Sequence, residues 1–287
     1  MLIDHIGEFF PDSPIWFRWL GRLAAPLFFY ALAVGFQHTR NRKKYLLRLY
    51  LANVGMVFFN QIMCMLQRKL DYVAYQPKNH NIFTTLFCAG VLICIWENRK
   101  EKKKFFTYIG IYIFWQAMVM GLAILAEAFD YIWRGNALLQ TVLRTNYIFP
   151  LLGGIWDAEG GVFFIVLGVW LYCAVENKWK LALRYILFCG AYMFMCQGDI
   201  LYRIMSRFSF WGYHKLADVI YFGSSFVGIP LGTSDLSLLT EFYQWMMIGA
   251  LPIMLACNGK RGKSLKWLFY AAYPLQFLVL YGISYYK

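Results

Sequence analysis

Between Phe105 and Phe129 the chain reads FFTYIGIYIFWQAMVMGLAILAEAF, and no charged side chain interrupts it before Glu127. Such a run constrains the fold more than any other feature. At about 1.5 Å of rise per residue, roughly 20 helical residues cross the hydrocarbon of a bilayer. Further apolar runs lie at about 49–67, 81–96, 161–175, 181–196, 242–257 and 265–285, and another ends at Phe36. Backbone polar groups find no water in lipid, so each crossing satisfies them internally as a helix. A closed barrel needs short dyadic alternation, which these runs lack. Composition agrees: with 60% hydrophobic and only 15% charged residues, the chain holds more apolar side chains than one soluble core can hide. The expected fold is an all-α polytopic integral membrane protein, a single transmembrane domain over residues 1–287. It has about eight to ten membrane helices, with re-entrant segments where the runs are broken.

A net charge of +13 on a soluble face would suggest nucleic acid. Here the Lys and Arg residues sit in short linkers between apolar runs, so they report topology, and nucleic acid is not an expected partner. Short cytoplasmic loops collect basic residues, which places RNRKKYLLR (40–48) and NRKEKKK (98–104) on the same, cytoplasmic side. An even number of crossings must separate them, and the runs at 49–67 and 81–96 supply two. The linker with Arg68, Asp71, Gln76, Pro77 and His80 then lies outside, as do Glu127 and Asp130 at the end of the next crossing. The apolar island at 147–156 is broken by Pro150, Gly153 and Gly154, and is read as a re-entrant or surface segment. The run at 161–175 returns inward and 181–196 goes out again. Residues 199–232 are read as staying on the outer face or dipping in and out, which lands NGKRGK (258–263) in the cytoplasm before the last helix. Irregular backbone at membrane depth must be surrounded by protein or by a watery cavity, so 147–160 and 199–232 are candidate site linings. The opening MLIDHIGEFFP reads as the second half of a helix whose first half is absent, with no signal-peptide layout.

Seven cysteines lie singly, almost all in apolar runs, and four histidines lie far apart, so no metal site is expected. There is no phosphate-binding glycine loop and no nucleophile elbow. Ionisable groups in or beside the apolar runs carry what functional signal there is. Asp4 and His5 occupy the opening stub; Arg18 and Arg22, four apart, share a face of the next helix. His5 suits a general base near neutral pH, and equally an interfacial residue. Arg22 suits a snorkelling anchor as well as a functional cation. Arg40, Arg42, Lys43 and Lys44, with His38 and Asn41, form the charged border of a helix end and are also able to hold phosphate. Asp157 and Glu159 sit among glycines that allow close backbone approach, and Asp199 and Arg203 are spaced for a helix-face pair; capping or ordinary loop polarity accounts for both sets as well.

MLIDHIG, then R-x-x-GRLAAPLF at 18–28, GFQHTRNRKKYLLRL at 35–49, NIFTTL at 81–86, and finally NGKRG at 258–262 with LFYAAYPLQFLVLY at 268–281 resemble, in that order, the TraX family. That family is named for a conjugative-plasmid protein associated with N-terminal acetylation of pilin, and is similar to the wider superfamily of membrane acyltransferases. The resemblance implies a multi-pass enzyme of the bacterial cytoplasmic membrane that takes an acyl group, acetyl being expected, from cytosolic acyl-CoA. The acceptor would be a peptide amine, a surface-glycan hydroxyl, a lipid or a metabolite. It further implies His5 as general base, with Asp4 beside it. Arg22 or Arg18 would orient the thioester or meet charge at its carbonyl, and His38, Arg40, Asn41, Arg42, Lys43, Lys44 and Arg261 would border the coenzyme A phosphates. Asn81, Asp157, Glu159, Tyr273 and Gln276 would support the acceptor. No metal is implied, and membrane lipids are the remaining expected partner. Two departures matter: the family pattern YP-x-H here reads Tyr273-Pro274-Leu275-Gln276, and glutamine cannot exchange a proton as histidine does; and the shortened first helix is the one that carries His5. Two competing readings follow, a membrane scaffold or accessory protein that keeps the fold without the chemistry, and a small-molecule transporter.

Overall fold

The computed structural model describes residues 1–10, 12–69, 81–132, 145–156, 158–197, 203, 207, 213–230, 236–258 and 266–285. The side chains of Arg68, Glu127 and Asp130 fall outside this set, as do Asp71, Gln76, Pro77, His80, Asp157, Asp199 and the basic residues of 259–263. The described residues contain no strand. The helices are α1 (Leu2–Phe9), α2 (Trp16–Gly21), α3 (Ala24–His38), α4 (Arg42–Lys69), α5 (Ile82–Glu97), α6 (Lys102–Ile132), α7 (Thr145–Leu151), α8 (Gly161–Tyr172), α9 (Lys178–Gln197), α10 (Tyr213–Val227), α11 (Ala250–Ala256) and α12 (Lys266–Tyr285).

Five stretches are long and apolar enough to cross a membrane: Trp16–His38, Arg42–Leu66, Ile82–Lys100, Lys102–Ala126 and Lys178–Gln197. Shorter apolar helices cover Gly161–Tyr172, Gln244–Ala256 and Leu268–Ile283. The chain is thus an all-α polytopic membrane protein, as the run lengths predict. Two crossings differ from their expected extents. The run at 161–175 is helical only over Gly161–Tyr172, about 18 Å of rise. Phe164, Ile165, Leu167 and Leu171 are all buried, as in a core helix apolar all round. The run at 242–257 begins as a 3-10 helix, Gln244–Gly249, before α11. Residues 217–227 of the island at 217–232 belong to α10, which is followed by Gly228 with φ +87; 231–232 lie outside the described residues.

The chain forms two compact units, Met1–Gln37 with Trp170–Lys287, and His38–Val169. In the first unit α2 and α3 make one membrane stretch that breaks at Arg22–Leu23. Pro26 explains the break, because it has no N–H to give the Arg22 carbonyl four residues back. α1 and α2 form a tight antiparallel hairpin on two glycines. A Cβ at Gly21 would collide with the Asp4 side chain, and one at Gly7 would lie 2.9 Å from the Arg18 Cδ. The glycines of DHIG and of the GR pair are therefore spacers that let two helices touch. Gly21→Ala is expected to cost about 1–3 kcal/mol by overpacking, while Gly7→Ala, which meets only a flexible arginine stem, costs less. Thermal unfolding of both variants in detergent checks the order. On α9, Leu181, Tyr185, Phe188, Cys189, Tyr192 and Cys196 repeat at helical spacing and are all buried. The Tyr185 hydroxyl donates to the Met247 carbonyl at 2.5 Å.

In the second unit α4 and α5 are antiparallel. Asn41 caps α4, its Oδ1 accepting from the Lys44 N–H at 2.9 Å. Arg42, in the first turn of α4, pairs with Glu97 at the end of α5, Nη2 to Oε1 2.9 Å. The two basic linkers therefore lie at one end of the helix pair, which is what two intervening crossings require.

The island at 147–156 is a half-helix gripped by its neighbours. α7 ends in a Schellman turn: Gly153 has φ +66, Gly154 N–H donates to the Phe149 carbonyl at 2.6 Å, and Gly153 N–H donates to the Pro150 carbonyl at 3.1 Å. The carbonyls this end leaves over are met by side chains from the long helices. The Tyr50 hydroxyl donates to Leu151 (2.7 Å), Asn53 Nδ2 to Pro150 (2.6 Å), Trp115 Nε1 to Leu152 (2.9 Å) and Gln116 Nε2 to Gly153 (3.1 Å). Gln116 Oε1 also accepts from the Ile155 N–H at 3.0 Å. Broken backbone at membrane depth is tolerated because protein surrounds it.

Candidate functional site

In the first unit the hairpin brings Asp4, Arg18 and Arg22 together. Both Asp4 carboxylate oxygens accept from Arg22 Nη2, at 2.7 and 2.5 Å. Arg18 Nη1 lies 2.9 Å from Asp4 Oδ1 and 3.6 Å from Glu8 Oε2, and also donates to the Asp4 backbone carbonyl. All four side chains are largely buried, with exposures between 10 and 21%. Two carboxylates thus face two guanidiniums, so the cluster is neutral, as a membrane interior demands.

One residue of the 3-10 segment and the residue before it close the cluster. Arg18 Nε donates to the Tyr243 hydroxyl at 3.2 Å, and Arg22 Nη1 donates to Gln244 Oε1 at 3.0 Å. Both guanidiniums also lie over the Tyr243 ring, at 6.0 and 5.6 Å from its centroid. Trp19 Nε1 donates to the Leu239 carbonyl at 2.7 Å and ties the same segment to α2. Glu8, Tyr243 and Gln244 are not legible as site residues in the sequence. The only signal for the last two is a polar pair at the start of an apolar run.

His5, though adjacent to Asp4, points elsewhere, as neighbours on a helix must. It is 4% exposed. Its ring lies 4.4 Å from that of Phe277 and edge-on to Tyr273 at 6.4 Å. Tyr273, Phe277 and Leu280 form the buried face of α12. The DHIG and YPLQ motifs, some 270 positions apart, therefore meet. Gln276, one position before Phe277, has a buried Nε2 with no hydrogen-bond partner among the described residues. The Nε of Arg22 is buried in the same condition.

The second unit holds the basic border. His38, Arg40, Lys43 and Lys44 are exposed, Asn41 is committed as a helix cap, and Arg42 is committed to Glu97 and to the Thr39 carbonyl (2.8 Å). Arg40, Lys43 and Lys44 are therefore better placed than Arg42 or Asn41 to meet an external anion. Asn81 is 3% exposed, and its Nδ2 donates to Asn53 Oδ1 at 2.7 Å, which also accepts from the Thr84 hydroxyl at 2.7 Å. Asn81 thus belongs to the support of α7. The side chain of Glu159 is exposed, while its backbone carbonyl accepts from Thr85. Asp157 and Arg261 lie outside the described residues. Asn53 and Gln116 escape a search confined to ionisable groups; a lone amide inside an apolar run is the signal that reveals them. Among the described residues, no group of three or more His, Cys, Asp or Glu side chains is gathered as for a metal ion.

Fold and clusters define a polytopic membrane protein with a neutralised ion-pair network and a histidine enclosed by its first and last helices. The TraX family (TraX protein) matches residues 1–195, and the chain belongs to that family. The matched region includes DHIG, GR, HTRN and NIFTTL, and ends before Tyr273–Gln276. No curated protein and no solved structure matches the chain.

Proposed function

We propose that this protein is an acyl-CoA-dependent acyltransferase of the bacterial cytoplasmic membrane, moving an acetyl or other acyl group to an amine or hydroxyl of an envelope, secreted or peptide acceptor. The observation that carries the reading is the meeting of His5 with the Tyr273–Phe277 turn of α12, beside the Asp4–Arg18–Arg22 network. In the transfer, His5 accepts the proton of the acceptor O–H or N–H as that atom attacks the thioester carbonyl. The C–S bond breaks, and the departing sulfur takes up a proton to leave as free coenzyme A. Arg22 and Arg18, their charge shared with Asp4, orient the thioester and meet charge developing at its oxygen, with Gln276 Nε2, which has no partner among the described residues, a further donor. In the second unit the exposed Arg40, Lys43 and Lys44 have the charge to suit phosphate groups such as those of the donor. Surrounding apolar helices keep water from the thioester.

Coenzyme A release from acetyl-CoA by the purified protein in nanodiscs, with candidate acceptors present, tests this. His5→Ala is expected to lower turnover by about 10²–10⁴-fold. The Arg40→Gln, Lys43→Gln, Lys44→Gln variant is expected to raise KM for the donor about tenfold with kcat retained. A folded protein that neither binds acetyl-CoA nor releases coenzyme A removes the proposal.

One observation favours the scaffold reading. Gln276 stands where the family pattern has histidine, and His5 is enclosed by aromatic rings. Gln276→His separates the two: an enzyme keeps or gains turnover, whereas a scaffold stays silent in both forms.

A further inference from the structure

A cavity of about 390 Å³ lies within the second unit, between the ends of α4, α5 and α6 that carry the basic linkers. Leu46 of α4, Val91, Cys94 and Ile95 of α5, and Tyr108 and Ile111 of α6 are among its lining residues. Its size falls in the usual range for a ligand site, and its lining is almost wholly apolar. Tyr108 and Ile111 are 43% and 60% exposed, so part of the lining reaches the exposed apolar flank of α6, where a bilayer's acyl chains lie.

The residues one turn above the lining are cationic. Lys43 precedes Leu46 by three positions on α4, and Lys104 precedes Tyr108 by four on α6, so each shares a helix face with a lining residue. The Arg42–Glu97 pair fixes the two linkers at this one end. Residues 40–48 and 97–104 together carry ten Lys and Arg against two Glu. Lys104 pairs with Glu101 at 2.6 Å, but both are more than half exposed, so the bond yields readily to a competing anion. An apolar groove reaching that flank beneath a cationic rim complements a molecule with one buried hydrocarbon chain and one phosphate at the interface.

We propose that this groove is a binding site for an anionic phospholipid of the surrounding leaflet, one acyl chain lying between α5 and α6 and the phosphate held by Lys43 and Lys104. The exposed apolar flank favours a lipid over a water-borne amphiphile, since a soluble donor would enter from the charged end. The apolar lining contains none of Asp4, His5, Arg18 or Arg22, while the rim shares Lys43 with the proposed donor-phosphate site, so Lys104 and Ile111 are the residues that distinguish the two. Long basic side chains reach upward from such positions to the interface, which suits them to a headgroup phosphate.

Native mass spectrometry of the delipidated full chain, titrated with phosphatidylglycerol and with phosphatidylcholine of the same chains, tests the site. The expected result is one phosphatidylglycerol retained at least about tenfold more tightly than phosphatidylcholine. Lys43→Gln with Lys104→Gln is expected to bring the two lipids to equal retention. Ile111→Trp, which fills the groove from an exposed position and spares the core, is expected to weaken phosphatidylglycerol about tenfold with an unchanged thermal transition. Equal retention of the two lipids by wild type overturns the proposal, as does an Ile111→Trp variant that holds phosphatidylglycerol as wild type does. Displacement of the bound lipid by equimolar palmitoyl-CoA, with no such displacement by palmitate, also overturns it and assigns the groove to the soluble thioester.

Discussion

Asn53→Ala is expected to be the most damaging single truncation in the second unit, costing on the order of 2 kcal/mol, because three buried groups each lose a hydrogen bond to one side chain. The Pro150 carbonyl keeps the Gly153 N–H but loses the Asn53 donor, Asn81 Nδ2 keeps the Asn53 backbone carbonyl at 3.3 Å but loses the shorter bond to Oδ1, and the Thr84 hydroxyl loses that same acceptor. No water reaches Asn53, which is fully buried, so the loss is not repaired by solvent. Thr84→Val is the control: it removes one donor from an oxygen that still accepts from Asn81, and is expected to cost under about 1 kcal/mol. A local readout exists as well. Cys88 is buried beneath the Gly153 carbonyl, 3.6 Å from its Sγ, so its alkylation rate reports release of the α7 turn. Mass-spectrometric mapping of maleimide labelling is expected to show Cys88 reacting faster in Asn53→Ala while the exposed Cys257 is unchanged. Equal labelling of Cys88 in wild type and variant would mean that α7 is held by its apolar contacts and not by the amides.

The second large effect is expected at Asp4. Among the described residues, Asp4→Ala leaves Arg18 and Arg22 facing each other with Glu8, 3.6 Å from Arg18, as the counter-charge. Removing one member of a fully buried pair costs about 3–5 kcal/mol, and the residual exposure here lowers that to about 2–3 kcal/mol. Asp4→Asn keeps an acceptor for one guanidinium and is expected to fall between. The Asp4→Ala, Arg22→Met double variant is expected to recover part of the loss, since deleting both charges removes the stranded cation. Strictly additive melting shifts across that cycle would show that the pair contributes nothing as a pair. Activity followed in parallel separates stability from chemistry: His5→Gln, which keeps most of the buried volume, should silence turnover with a smaller change in melting than Asp4→Ala, which should change both.

What the sequence by itself determined is the class of fold. An apolar run of some 20 residues has one solution in a bilayer, and a basic linker marks its end, so the spans and the common end of 40–48 and 98–104 are readable from local chemistry. Pro150, Gly153 and Gly154 likewise mark 147–156 as broken wherever it lies, and the helix is duly stopped there by a Schellman turn. Arg18 and Arg22 are visible as a helix-face pair for the same local reason. Their partners are not, because helical periodicity tells which residues share a face and says nothing of which face another helix meets. Only the tertiary structure turned Asp4 toward Arg22 and its neighbour His5 toward Phe277, brought Tyr243 and Gln244 across more than 200 positions to the arginines, and gave the leftover carbonyls of α7 to Tyr50, Asn53, Trp115 and Gln116. In a membrane nearly every helix is apolar on every side, so hydrophobic pattern cannot choose the packed face. Close approach at small residues and the need to satisfy a few buried polar groups choose it instead.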